Sequence, residues 1–168
     1  MSMWPLANVP PVLPSEGSPG SFGYKRSFYY HSGIDLYCPA GTFVRSIEDG
    51  IIVNIETFTG ELANPPSPWW NETQSILIEG NNGVLGYCEI HVLAALEVGQ
   101  RIRKGDILGW VVPVLKEDKG NGTSMLHFEQ YAKGTIGHAE WLHDEPKPDC
   151  LYDPTGLLIY ECFYATNT

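Results

Sequence analysis

Short apolar runs alternate with polar residues along this chain, and turn residues interrupt them roughly every ten positions, the spacing of an all-β domain. Phe43 to Ile47 and Ile51 to Ile55 flank Glu48-Asp49-Gly50 and read as a hairpin, because Asp-Gly suits tight primed turns. Ser75 to Glu79 and Val84 to Val92 read as a second hairpin around Asn81-Asn82-Gly83. Ile107 to Val114 and Ser124 to Ala132 are further strands, and no stretch before residue 135 has the period of an amphipathic helix. The pattern predicts a compact single domain of mostly antiparallel strands. Residues 1 to 20 carry five prolines and read as an irregular arm, with the domain proper at 21 to 168. An insertion at 57 to 73 contains Pro65, Pro66 and Pro68, which exclude a central strand. Its Trp69-Trp70 pair is either a lid over a cleft or a plug on the domain's own surface.

Side chains two apart on a strand share a face. On Ser124 to Ala132 that places Met125, His127, Glu129 and Tyr131 together, with Leu126 and Phe128 opposite. On Val84 to Val92 it groups Tyr87, Glu89 and His91 against Gly86, Cys88, Ile90 and Val92. The apolar faces are expected to pack inward and the polar ones to meet a cleft. Upstream, His31-Ser32-Gly33-Ile34-Asp35 sets an imidazole and a carboxylate around a glycine that lets the backbone turn both inward. His31, Asp35 and His127 together make a catalytic zinc set, since three protein ligands leave the fourth position open for water. A structural site is normally closed by four ligands, and the cysteines at 38, 88, 150 and 162 show no CxxC pairing. Free or buried thiols are expected over a disulfide framework, because a domain of this size does not need cross-links.

Composition narrows the classes. The 168 residues are enough for one well-buried core. Ten basic against twenty acidic residues give a net charge of −10, which excludes nucleic acid as a partner. No apolar run approaches the ~18 residues of a membrane span, and Met1 to Leu6 do not form a recognisable secretory signal. Oligomeric state is not legible in the residues.

These motifs resemble the lysostaphin-type, or LytM-like, zinc endopeptidases, whose signature is HxxxD, a YxH segment and a later HxH strand. His31-Ser-Gly-Ile-Asp35, Cys38-Pro39-Ala40-Gly41-Thr42-Phe43-Val44, Glu48-Asp49-Gly50-Ile51-Ile52-Val53, Val98 to Gly109, Leu126-His127-Phe128-Glu129 and Asp153-Pro154 recur in the family's order over residues 20 to 160. The resemblance implies a lysostaphin/LytM-like β-sandwich or barrel with a zinc groove, and Zn2+ held by His31, Asp35 and His127. It implies hydrolysis of peptide bonds in peptidoglycan stems or cross-bridges, often beside glycine, and hence a cell-envelope or extracellular setting. His91 falls at the YxH histidine, which the resemblance implies is catalytic, polarising the attacking water and stabilising the oxyanion, with Glu89 in place of the tyrosine and expected to tune it. Glu129 is expected to orient a ligand imidazole. Tyr24, Tyr87, Trp69 and Trp70 are candidates for the groove wall, each equally open to ordinary packing. Glu89, His138 and His143 are the candidates to replace a missing catalytic group, with simple surface exposure the favoured alternative for His138 and His143.

Met125 departs from the family by replacing the first histidine of HxH. A thioether neither carries a proton nor donates to an oxyanion, and such losses cost about 10²–10⁴-fold. The substitution leaves three alternatives: altered chemistry, a substitute group, or a catalytically degenerate zinc-binding or peptidoglycan-binding domain. A zinc hydrolase acting on another amide or ester is a further alternative.

Overall fold

The computed structural model describes residues 3–117 and 124–161. Nine strands form one open sheet, and every pairing is antiparallel. In chain order they are β1 (Ile34–Tyr37), β2 (Phe43–Arg45), β3 (Gly50–Thr59), β4 (Thr73–Gly80), β5 (Gly83–Val92), β6 (Arg101–Ile102), β7 (Ile107–Val111), β8 (Met125–Tyr131) and β9 (Leu151–Tyr152). The main path runs β1-β8-β5-β4-β3-β6, with β7 linking β2 to β5 and β9 flanking β8. A single short helix, α1 (Thr155–Ile159), follows the last strand. This is the all-β, single-domain class that the apolar alternation predicts.

The main core covers one face of the sheet and includes Ile34, Leu36, Ile76, Ile78, Leu85, Tyr87, Ile90, Leu126 and Phe128. Leu77, Val84, Tyr131 and Leu151, of opposite parity, make a smaller cluster on the other face. β8 therefore sends Leu126 and Phe128 into the core and His127, Glu129 and Tyr131 to the opposite side. Each of those two core side chains is fully buried and contributes on the order of 2 kcal/mol. A one-residue slip of β8 would exchange them for His127 and Glu129, so packing on one face fixes the register of the chemistry on the other.

Three expectations change. The hairpin around Glu48-Asp49-Gly50 does not form: Phe43–Arg45 pairs with Ile107–Val111, while Gly50–Thr59 pairs with Thr73–Gly80. The Glu48 carboxylate instead accepts bonds from the Asn82 backbone N–H and Nδ2, tying that corner to the Asn81-Asn82 turn. The hairpin at Asn81-Asn82 forms as expected. The insertion is shorter than 57 to 73, because ladder pairing continues to Thr59 and resumes at Thr73. Its loop is stapled to the segment after β7 by the Asn71 N–H to Val114 O and by Asn71 Nδ2 to the carbonyls of Pro113 and Leu115. Finally, residues 3–20 have no strand, yet Trp4 and Leu6 are buried in the core and Leu6 bridges Val44.

Candidate metal centre

His31 ends the segment before β1, Asp35 lies in β1, and β1 pairs with β8 so that Asp35 stands opposite His127. Register alone thus brings two distant motifs together. His31 Nε2, Asp35 Oδ1 and His127 Nδ1 converge at 3.0 Å, 3.0 Å and 3.1 Å from one another. All three residues are buried. Gly33 makes this approach possible for a reason other than backbone freedom. A Cβ there would lie 2.4 Å from the Phe128 carbonyl oxygen and 2.9 Å from the His127 ring.

The far side of each imidazole sets its tautomer. His31 Nδ1 lies 2.8 Å from the Ser21 carbonyl, which only accepts, so Nδ1 carries the hydrogen and Nε2 presents a lone pair. His127 Nε2 lies 2.9 Å from Glu129 Oε1, so Nε2–H donates there and Nδ1 turns its lone pair inward. Two imidazole lone pairs and one carboxylate oxygen therefore meet at one point, a donor set that fits a zinc ion. Without metal, a proton fills that role. Burial alone would lower the His127 value, but hydrogen bonds to Asp35 and Glu129 outweigh it and raise it well above the usual histidine range. Burial would likewise raise Asp35 and Glu129, yet their histidine partners hold both carboxyls well below the usual range.

Glu129 joins four side chains around the cluster. Oε1 accepts from Ser32 Oγ and His127, and Oε2 accepts from Tyr131 OH at 2.7 Å and His138 Nδ1 at 2.6 Å. His138 was expected at the surface, but it is mostly covered and its Nε2 lies 2.8 Å from Ser75 Oγ. It reaches Glu129 because Tyr131 OH also accepts the Ala139 N–H, folding the segment after β8 back across the sheet. His143, expected beside it at the surface, is half-buried against the Tyr30 ring.

β5 departs from strict alternation. Ser75 pairs with Cys88 and Gln74 with Ile90, leaving Glu89 as an extra residue at φ 63°, a bulge in the left-handed region. Tyr87 accordingly falls on the core face, packed edge-on against Phe128, and does not line a groove. Cys88 turns to the metal side, with its sulfur close to Glu129 and His138. The Glu89 carboxylate interacts with the charges of His127 and Asp35, and its Oε2 is buried with no hydrogen-bond partner among the described residues. Burial pushes this carboxyl up to about 7. His91, beyond the bulge, is exposed and stacked on Trp110 at 4.4 Å. The structure brings Glu89 to the cluster and leaves His91 outside it.

Of the remaining candidates, Met125 is half-buried opposite Tyr37, two pairs along from Asp35 and His127. Tyr24 supplies its carbonyl to the His31 N–H. Trp69 is exposed and meets Trp70 edge-on, and Trp70 bridges Leu115. An aromatic ring that does pack on the site is Phe58, stacked 5.8 Å from His127 and tilted 4.8 Å from His138. Arg26, also not singled out by the sequence, donates from a terminal guanidinium nitrogen to Asp35 Oδ2 at 3.3 Å. Cys38, Cys88 and Cys150 are free thiols, as expected, and Cys162 lies outside the described residues. No helix among the described residues is long and apolar enough to cross a membrane.

The fold is similar to the catalytic domain of the antimicrobial peptidase lysostaphin from Staphylococcus simulans, at 20% identity over 84% of this chain and 90% of that one, with a TM-score of 0.52. LytU matches at 21% identity, 90% of each chain and a TM-score of 0.53. A zinc-containing peptidase from Vibrio cholerae matches at 19% identity over 88% of this chain, with a TM-score of 0.51. The present chain spans 39% of that peptidase, and between 35% and 47% of three matched chains including it. No curated protein sequence matches this one. The model of Peptidase family M23 matches residues 29–137, a span that takes in His31, Asp35, Glu89 and His127. That span is more than half of the sequence, and the chain belongs to peptidase family M23.

Proposed function

We propose that the protein is a zinc-dependent endopeptidase that hydrolyses peptide bonds in peptidoglycan stems or cross-bridges. The observation that carries this is the convergence of His31 Nε2, Asp35 Oδ1 and His127 Nδ1, with both tautomers fixed from behind. Membership of family M23 and likeness in fold to lysostaphin and LytU support the substrate class. His31, Asp35 and His127 would hold the ion, and bound zinc would polarise the scissile carbonyl and acidify water.

Glu89 is the proton carrier. Its Oε2 is shielded, unpartnered and beside the cluster, and its raised value suits a group that takes and returns a proton near neutral pH. It accepts a proton from the attacking water as the C–O bond forms. It then delivers that proton to the departing amine nitrogen as the C–N bond breaks. Glu129, braced by Ser32, Tyr131 and His138, keeps the His127 ring aimed while charge at the centre changes. Exposed His91 and half-buried Trp110 form a stacked ledge suited to contact with substrate outside the reacting atoms.

Met125 favours a second reading, a binding domain that keeps the metal and has lost turnover. Mass spectrometry of products from zinc-loaded protein, incubated with peptidoglycan fragments and oligoglycine peptides, separates the two. Cleavage that disappears in His127→Ala supports the peptidase. Zinc retained at one ion per chain with no cleavage of either substrate leaves the binding domain.

A further inference from the structure

Asp35 uses its two oxygens differently. Oδ1 faces the two imidazoles, while Oδ2 faces Arg26. Arg26 sits in the tight turn between Lys25 and Tyr30, which form a bridge, and its backbone N–H donates to the Tyr29 carbonyl. The same guanidinium nitrogen that reaches Asp35 also donates to the Pro19 carbonyl at 3.0 Å, anchoring the group from the other side. Its Nε is buried without a partner among the described residues. No other Lys or Arg among the described residues bonds to His31, Asp35, His127 or Glu129. The guanidinium charge also acts on Glu89 and on Tyr37. Tyr37 follows Asp35 by two residues on β1, so the guanidinium acts along that edge of the site.

We infer that Arg26 is the electrostatic positioning residue of the metal centre: it holds the outer oxygen of Asp35 and draws charge from that ligand. This rests on the proposed peptidase activity for its catalytic consequence, but not for its effect on the metal. A carboxylate shared with a guanidinium is a weaker donor, so the ion it helps to hold is a stronger electrophile. The arrangement trades metal affinity for reactivity. A guanidinium is suited to it because it stays charged at every working pH and its planar fork fixes which carboxylate oxygen remains free.

The test compares wild type, Arg26→Gln and Arg26→Lys, each checked for native circular dichroism. Affinity for Co2+ is measured by chelator competition, together with kcat and KM on an oligoglycine peptide. Arg26→Gln is expected to bind Co2+ about tenfold more tightly, because a cation near the ion has been removed. Its kcat is expected to fall by about 10²-fold at nearly constant KM, the order lost when one electrostatic donor is deleted. Arg26→Lys should recover part of the kcat, since it keeps the charge. A merely structural Arg26 predicts the opposite, weaker metal binding with activity lost in proportion, and that result overturns the inference. If wild type cleaves nothing, the peptidase reading has failed. The metal arm then decides alone, and unchanged or weaker Co2+ binding in Arg26→Gln refutes the role of Arg26.

Discussion

Replacing Glu89 by glutamine is expected to strengthen the metal-free fold while removing the proton carrier. The carboxyl rises from an ordinary 4.5 to about 7, chiefly because the bulge at φ 63° buries it. At about 1.4 kcal/mol for each tenfold change in proton affinity, the ionised side chain costs the fold about 3 kcal/mol. The sign follows from where the proton resides. Below pH 4.5 the group is protonated in both states, and Glu89→Gln should match wild type. Between pH 4.5 and 7 the folded protein keeps the proton that the unfolded chain releases, so wild-type stability falls as pH rises. Above pH 7 the full cost is present and the amide escapes it. Urea unfolding of metal-free protein at pH 4.5, 6 and 8 reads this directly, as a difference that grows to about 3 kcal/mol. A pH-independent difference, or a variant less stable at pH 8, would refute the burial argument and with it the assignment of Glu89 as a shielded base.

Other consequences are equally concrete. Gly33→Ala should cost about 1–3 kcal/mol and weaken zinc binding, measured by competition, because the new methyl meets the Phe128 carbonyl and the His127 ring. Metal-free protein should lose stability on acidification below about pH 4.5. Asp35 and Glu129 are held low in the fold, so their contribution is present above the ordinary carboxylate range and fades as pH falls; far-UV circular dichroism against pH checks it. Met125→His restores a donor two residues along β8 from His127, and should raise kcat by about 10²-fold on oligoglycine. No gain would show that Glu89 already supplies what the thioether lacks.

Much of the site is legible in the chain because it depends on parity. His127 and Glu129 share a face with Met125 and Tyr131 by simple alternation, and β8 keeps that alternation intact. β5 does not. A single extra residue at Glu89 inverts the faces, sending Tyr87 to the core and separating Glu89 from His91. No glycine or asparagine marks that bulge, so period-2 reasoning passes through it unaware. The YxH signature itself fits at two registers: Glu89-Ile90-His91 keeps the histidine, and Tyr87-Cys88-Glu89 keeps the tyrosine. Only the placement of Glu89 beside the cluster favours the second. The placement of His138 and of Arg26 was out of reach for a different reason. Each arrives through a fold-back of irregular chain, by way of Tyr131 and Pro19 respectively, and no local pattern encodes such contacts. The lost hairpin at Asp49-Gly50 has the same origin, since Val44 is claimed by Leu6 and β7 through long-range packing.

The most direct measurement is the metal stoichiometry of the purified protein after zinc loading and desalting, with Asp35→Ala, His127→Ala and Cys88→Ser alongside. The account predicts one zinc per chain in wild type and Cys88→Ser, and none in Asp35→Ala or His127→Ala. A second grouping of donors, Cys88, Glu129 and His138, supplies the contrary outcome. Zinc kept by Asp35→Ala but lost from Cys88→Ser would place the ion there and contradict the centre built on His31, Asp35 and His127.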